Sequence, residues 1–288
     1  MPMEHPVHFP SNGKQLFGVM HEPAGEGSGA GVVFLNAGPQ NRVGPQRIYV
    51  NAARRFADAG VACLRIDLPG VGESEGPFPE NNLDCHDPAN VRGAVDRLEA
   101  RGVRSVVLLG LCVGARVAVR AALADTRVDA VVCWSAPVIS GAADIIGEAI
   151  SQAAARGQLR HWSRRLLQPH RWKRYLTSPE ARSEGRVKLR GVLSTLLARP
   201  RGGKPAPFVA EMGALLASSR GVAIAYGDRD IGPIAEFEDH FGKIVPKRGR
   251  DRCFVLVPGG DHTYASLAAQ GRVISETLDW LSERYRPA

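Results

Sequence analysis

The feature that most constrains the fold is an alternation. Short apolar runs of four to eight residues, at 31–35, 61–66, 105–109, 128–133, 222–226 and 253–257, are separated by segments whose apolar residues recur at helical spacing. An uninterrupted apolar run has no polar face to give to water, so each such strand must be covered on both sides. That requirement predicts a parallel sheet with helices on both faces, built from βαβ units. Between the first two runs, Ile48, Ala52, Ala53 and Phe56 form one helical stripe, closed by Gly60. Asp87 followed by Pro88 reads as an N-cap and first helical residue, with Val91, Val95 and Leu98 as the buried stripe and Gly102 as the stop. A further helix spans about 113–124, and a last one carries Val273, Ile274, Leu278 and Leu281. Residues 8–19 read as an antiparallel start. The alternation pauses only at 139–219, where helical patterning rich in arginine replaces it. The expected architecture is a doubly wound, mostly parallel α/β sheet, with 1–138 and 220–288 as core and 139–219 as a helical insertion.

Composition agrees with a globular chain: 288 residues, 44% hydrophobic and 23% charged, exclude disorder, collagen and coiled coil. Cys63, Cys85, Cys112, Cys133 and Cys253 show no CxxC pair, which argues against a disulfide framework or a zinc site and favours a reducing compartment. The first twenty residues lack a basic start and an apolar run, and no stretch approaches 18 apolar residues, so a soluble cytoplasmic protein is expected. No metal cluster, nucleotide loop or redox motif is visible, and the expectation is that no cofactor is needed.

One turn carries candidate chemistry. Gly110-Leu111-Cys112-Val113-Gly114 lies between an apolar strand and an amphipathic helix, where a nucleophile elbow must lift a side chain above the sheet. Glycines two positions to either side make room for a strained turn. The helix N-terminus behind Cys112 favours a thiolate over a thiol. Gly72-Glu73-Ser74-Glu75-Gly76 has the letters of a serine elbow, yet no amphipathic helix follows it directly, and it reads as a loop.

A nucleophile needs a base and an orienting acid, which in this topology follow it in that order, acid then histidine, on loops after later strands. Of the eight histidines, His262 alone directly follows a late core strand in a Gly-rich turn, Pro258-Gly259-Gly260-Asp261-His262. Asp230 in Gly227-Asp228-Arg229-Asp230 is the expected acid; Asp228 is the runner-up, with a turn cap as its plain role. An oxyanion needs two N–H donors. Val113 is one; the other falls to Gly38 or Gln40, because Pro39 between them has no N–H. Arg42 and Arg47 in the same loop are candidates for an anionic substrate group.

Asn36-Ala37-Gly38-Pro39, the stretch from Asp67 to Ser74, the elbow at Cys112, Gly227-Asp228-Arg229-Asp230 and Asp261-His262-Thr263 together resemble the α/β-hydrolase superfamily along nearly the whole chain. More narrowly, Gly38-Pro39-Gln40-Asn41-Arg42-Val43-Gly44 with Arg47, and the Gly-Leu-Cys elbow, resemble exosortase A system-associated hydrolases. The resemblance implies a Cys-His-Asp triad on Cys112, His262 and Asp230. Similar elbows occur in dienelactone hydrolases, which generally lack so long an insertion, and in polyhydroxyalkanoate synthases, which are longer than this chain.

The net charge of +8 is local. Residues 156–204 hold 14 Lys+Arg and two acids, a balance of +12, while the rest carries 23 basic and 27 acidic residues, or −4. In the resembled superfamily an insertion at this place is a lid, and a basic lid favours an anionic acyl donor such as a coenzyme A or carrier-protein thioester. Trp162, Trp172 and Tyr175 then form its apolar underside rather than a nucleic-acid surface. The expected function is a cysteine-dependent thioesterase or acyltransferase. Its alternatives are a lactone or carboxyl-ester hydrolase and a non-catalytic ligand-binding member. Nothing in the sequence assigns an oligomeric state.

Overall fold

The computed structural model describes residues 2–25, 27–78, 87–138, 207–242 and 249–285. The lid assigned to 139–219 falls outside the described residues as far as 206, as does Cys85. The described residues form one eight-stranded sheet of β1 (Met3–Ser11), β2 (Lys14–Glu22), β3 (Ala30–Leu35), β4 (Ala62–Ile66), β5 (Ser105–Leu111), β6 (Val128–Trp134), β7 (Gly221–Gly227) and β8 (Arg252–Val257). Its strand order is β1-β2-β4-β3-β5-β6-β7-β8. β1 and β2 are a hairpin turned at Asn12 and Gly13, both at positive φ, and β2 runs antiparallel to β4. All other pairings are parallel.

The predicted double winding follows from how the strands alternate. On one face, Val32 and Phe34 of β3 join α1 (Ile48–Asp58) and α6 (Leu267–Tyr285) in a core built on Tyr49, Phe56, Trp134 and Trp280. On the other, Val33 and Leu35 meet α2 (Arg92–Glu99), α3 (Val113–Ala124), α4 (Pro207–Ala217) and α5 (Ile231–Phe241). Every residue of β3 and β7 is buried, as the uninterrupted apolar runs require. The Asp87 cap is made, its carboxylate accepting the Ala89 N–H at 2.8 Å. α4 lies at the end of the stretch read as insertion, but its Phe208, Met212 and Leu215 are fully buried in the core beside α3. Among the described residues no helix is long and apolar enough to cross a membrane.

Candidate active site

Parallel strands bring their carboxyl ends to one edge of the sheet, and the candidate residues gather there. Cys112 stands between β5 and α3 with φ 58° and ψ −125°, a conformation that costs a non-glycine residue on the order of 1–3 kcal/mol. Packing holds it there. A Cβ on Gly110 would overlap the Gly114 carbonyl, and one on Gly114 would lie 2.5 Å from Asn36 O. The Cys112 N–H donates to Trp134 O at 2.9 Å, tying the elbow to β6. Cys112 is half-buried. Val113 opens α3, so its N–H belongs to the unpaired donors of a helix N-terminus.

The acid and histidine loops are held to one another by three hydrogen bonds. Asp228 N–H donates to Val257 O at 3.0 Å, Arg229 N–H to Gly260 O at 2.9 Å, and Gly259 N–H to Asp228 Oδ1 at 2.9 Å. Asp228 is thus a turn cap, its plain role. Asp230, 8% exposed, meets His262 Nδ1 through Oδ2 at 2.8 Å. A carboxylate can only accept, so the proton sits on Nδ1 and Nε2 is left to receive another. Nε2 is buried, and Cys112 is the nucleophilic group beside it. Burial opposes a charge on the ring, but the hydrogen bond to Asp230 and the interaction with Cys112 outweigh it and push the His262 pKa up to about 10. Asp261 shapes the same turn by accepting the N–H groups of Thr263 and Ala265.

The loop after β3 is organised from beneath by Asp67. This fully buried carboxylate accepts the Arg42 N–H at 2.6 Å and the Arg42 guanidinium at 2.5 Å. Asn36 joins the same network: its Nδ2 donates to Gln40 O at 3.0 Å and lies 3.5 Å from Asp67 Oδ1, while its Oδ1 accepts the Leu68 N–H at 2.6 Å. Arg42 also pairs with Glu73 and stacks on Phe17, so its charge is spent in holding the loop rather than turned toward Cys112. Arg47 is exposed at φ 62°, at the entrance to α1. The two loop amides considered as oxyanion donors both bond inside the loop, Gly38 N–H to Asn36 O at 3.1 Å and Gln40 N–H to Ala37 O at 3.4 Å. Ser74 is a structural hydroxyl: it donates to Asp67 O at 2.6 Å and accepts the Phe17 N–H at 2.9 Å.

Sequence reasoning missed two tyrosines that support the site. Tyr264 OH donates to Ala225 O at 2.9 Å and accepts from Ser135 Oγ at 3.3 Å, binding the histidine loop to β7 and β6. Tyr49 does the same between β3 and β5. For Tyr49 the available signal was a polar-tipped aromatic on a helix's apolar face, which must find a buried partner; Tyr264 lies in the loop before α6, where no such periodicity marks it. Among the described residues no group of three or more His, Cys, Asp or Glu could hold a metal ion.

A family model described as "Alpha/beta hydrolase family" matches residues 32–276. A curated relative, the polyketide transferase grgF of a Penicillium species, is 33% identical over 96 residues, which is 32% of this chain and 32% of that protein. The alignment therefore spans about a third of the relative's length. The solved structure of GrgF from Penicillium is similar at TM-score 0.61 and 15% identity, covering 98% of this chain and 99% of that one. A Pyrococcus furiosus esterase matches at TM-score 0.62 and 13% identity over 98% of this chain and 91% of its own. A dienelactone hydrolase from Anabaena variabilis matches at TM-score 0.58 and 18% identity over 97% of both chains.

Proposed function

The chain belongs to the alpha/beta hydrolase family, and on that premise we propose that it cleaves acyl esters or thioesters through a Cys112-His262-Asp230 triad and an acyl-cysteine intermediate. The observation that carries the reading is the strained Cys112 at the N-terminus of α3, beside a histidine whose Nδ1 is held by a buried carboxylate. The Sγ proton passes to His262 Nε2, whose raised proton affinity holds it as the imidazolium of a thiolate–imidazolium pair, and Sγ attacks the carbonyl carbon. The oxygen then becomes an oxyanion, to which Val113 N–H donates. A second donor from the loop after β3 must exchange an internal bond. The one from Gln40 is the longer of the two candidates and the easier to give up. Collapse expels the thiolate or alkoxide with the proton from His262, leaving acyl-Cys112. Water gives its proton to His262 and attacks, releasing the carboxylic acid and restoring the thiol.

If an alcohol or amine takes the place of water, the same intermediate ends in transfer. A relative described as a polyketide transferase supports keeping that outcome beside hydrolysis. A thioester donor fits the nucleophile, since exchange of one thioester for another costs little free energy. The basic stretch 156–204 supports an anionic donor such as a coenzyme A thioester.

Intact mass spectrometry after exposure to acyl-coenzyme A and p-nitrophenyl esters tests the reading. The expected result is one acyl increment on the wild type and none on Cys112→Ala, whose turnover falls by about a thousandfold or more. A Cys112→Ala protein with full turnover overturns it.

A further inference from the structure

Tyr49 is the second residue of α1, and its side chain is fully buried. Its hydroxyl donates to Leu35 O, the last carbonyl of β3, and accepts the N–H of Leu111, the last residue of β5, each at 2.8 Å. These strands pair in parallel up to Leu35 and Gly110. The next link of the ladder is therefore made through a phenol oxygen instead of directly. A direct N–H···O bond holds its atoms about 2.9 Å apart; two bonds in series hold them wider. Just beyond this opened rung, β3 leaves the sheet into the loop of Gly38 and Gln40, and β5 turns into the elbow of Cys112.

The ring is itself fixed. Phe34 packs at 5.3 Å between centroids and Trp134 at 6.3 Å, and the Trp134 carbonyl is the acceptor of the Cys112 N–H. Burial raises the phenol far above its usual range, so the hydroxyl stays neutral and can both donate and accept.

We infer that Tyr49 is a positioning residue: its hydroxyl, interposed between Leu35 and Leu111, sets the spacing between the loop after β3 and the nucleophile elbow, and thereby the geometry in which an oxyanion is held. This rests on the acyl-cysteine reading above. Removing the hydroxyl frees a buried N–H and a buried C=O that face each other. They can satisfy one another only by drawing the strand ends together, which shifts the loop relative to Cys112. Misplacement by about 1 Å is enough to cost about a hundredfold in rate.

The test separates attack on an acyl group, which needs the oxyanion donors, from alkylation by iodoacetamide, which does not. In Tyr49→Phe, acylation of Cys112 by a p-nitrophenyl ester should fall by about ten- to a hundredfold. KM should stay within about twofold and Cys112 alkylation within about threefold. Phe34→Leu, which loosens the packing on the same ring but keeps the hydroxyl, should lower Tm and leave the ratio of acylation to alkylation unchanged. An unchanged ratio in Tyr49→Phe overturns the inference. A second measurement needs no variant: the wild-type Leu111 amide should exchange as slowly as those of Leu108 and Leu109, and exchange at the rate of an exposed amide overturns it as well. Wild-type protein that forms no acyl-Cys112 overturns the proposed function and this inference together, whereas acylated wild type with an unaffected Tyr49→Phe overturns the inference alone.

Discussion

Burial separates the thiols. Cys63 and Cys133 are fully enclosed, and desolvation holds Cys63 well above its ordinary pKa and pushes Cys133 up to about 12, so both stay protonated fillers. Cys112 is half-buried at a helix N-terminus with a histidine beside it. The same logic disposes of Ser74, whose hydroxyl is committed to Asp67 O and Phe17 N. Ser74→Ala should leave catalysis within about twofold while costing on the order of 1–3 kcal/mol in a urea titration, because both partners lose a buried hydrogen bond. Asp230 holds up the proton affinity of His262. A step that needs the imidazolium is lost as pH rises through its pKa, so kcat/KM for an alkyl ester, whose leaving alkoxide needs that proton, should persist toward pH 10 in the wild type. In Asp230→Asn the alkaline limb of the pH-rate profile should move toward neutrality, and an unmoved limb would refute this role. That Cys112, His262 and Asp230 gather at one edge of the sheet was legible in the sequence, because each sits in a glycine-bearing turn directly after an apolar strand. Arg42 was not. Its position in the loop suggested substrate, and only the fold brings Asp67, 25 residues away, beneath it.

Elements impose the elbow's geometry. Two glycines flank Cys112 because α3 crosses β5 and the end of β3 at backbone contact, where no Cβ fits. Gly114→Ala would put a methyl 2.5 Å from Asn36 O and 2.6 Å from Leu35 O, against backbone that β3 cannot move without breaking its pairing with β5. The expected result is a loss of about 2–4 kcal/mol by denaturant titration together with loss of Cys112 acylation. Gly213→Ala in α4, where a Cβ meets nothing within 4 Å, should be neutral or slightly stabilising and serves as the control. The strands and helices of the core were legible because apolar runs and helical stripes differ in period. The place of α4 was harder to read, since its apolar face looks the same whether it covers a lid or, as it does, the core beside α3.

At the scale of the whole molecule, two histidines pull the pH dependence of stability in opposite directions. His21 is buried on β2, its Nε2 accepts the Arg65 Nε–H at 2.8 Å, and burial together with the Arg65 charge lowers its pKa to about 4. The unfolded chain therefore binds a proton that the folded chain refuses between about pH 6.5 and 4, and stability falls as pH falls through that window. His262 does the reverse: its contribution is complete below about pH 6.5 and is lost as pH rises toward 10. Between pH 7.5 and 5.5 the two act in opposite directions. His21→Gln, which keeps an acceptor for Arg65, removes one side, so the variant should gain about 1 kcal/mol relative to wild type on acidification over that range, read from urea midpoints. A variant with the same pH slope as the wild type would show that His21 protonates freely in the fold. By itself the sequence determined the doubly wound sheet and the loops that bear the candidate triad, because periodicity and turn chemistry are local properties of the chain. The tertiary structure decided which polar groups serve the site and which only hold it. Arg42 on Asp67, Ser74 on Asp67 O, Tyr49 between β3 and β5, and Tyr264 on Ala225 are contacts between segments distant in sequence, and a buried polar group takes its role from whichever partner folding brings to it.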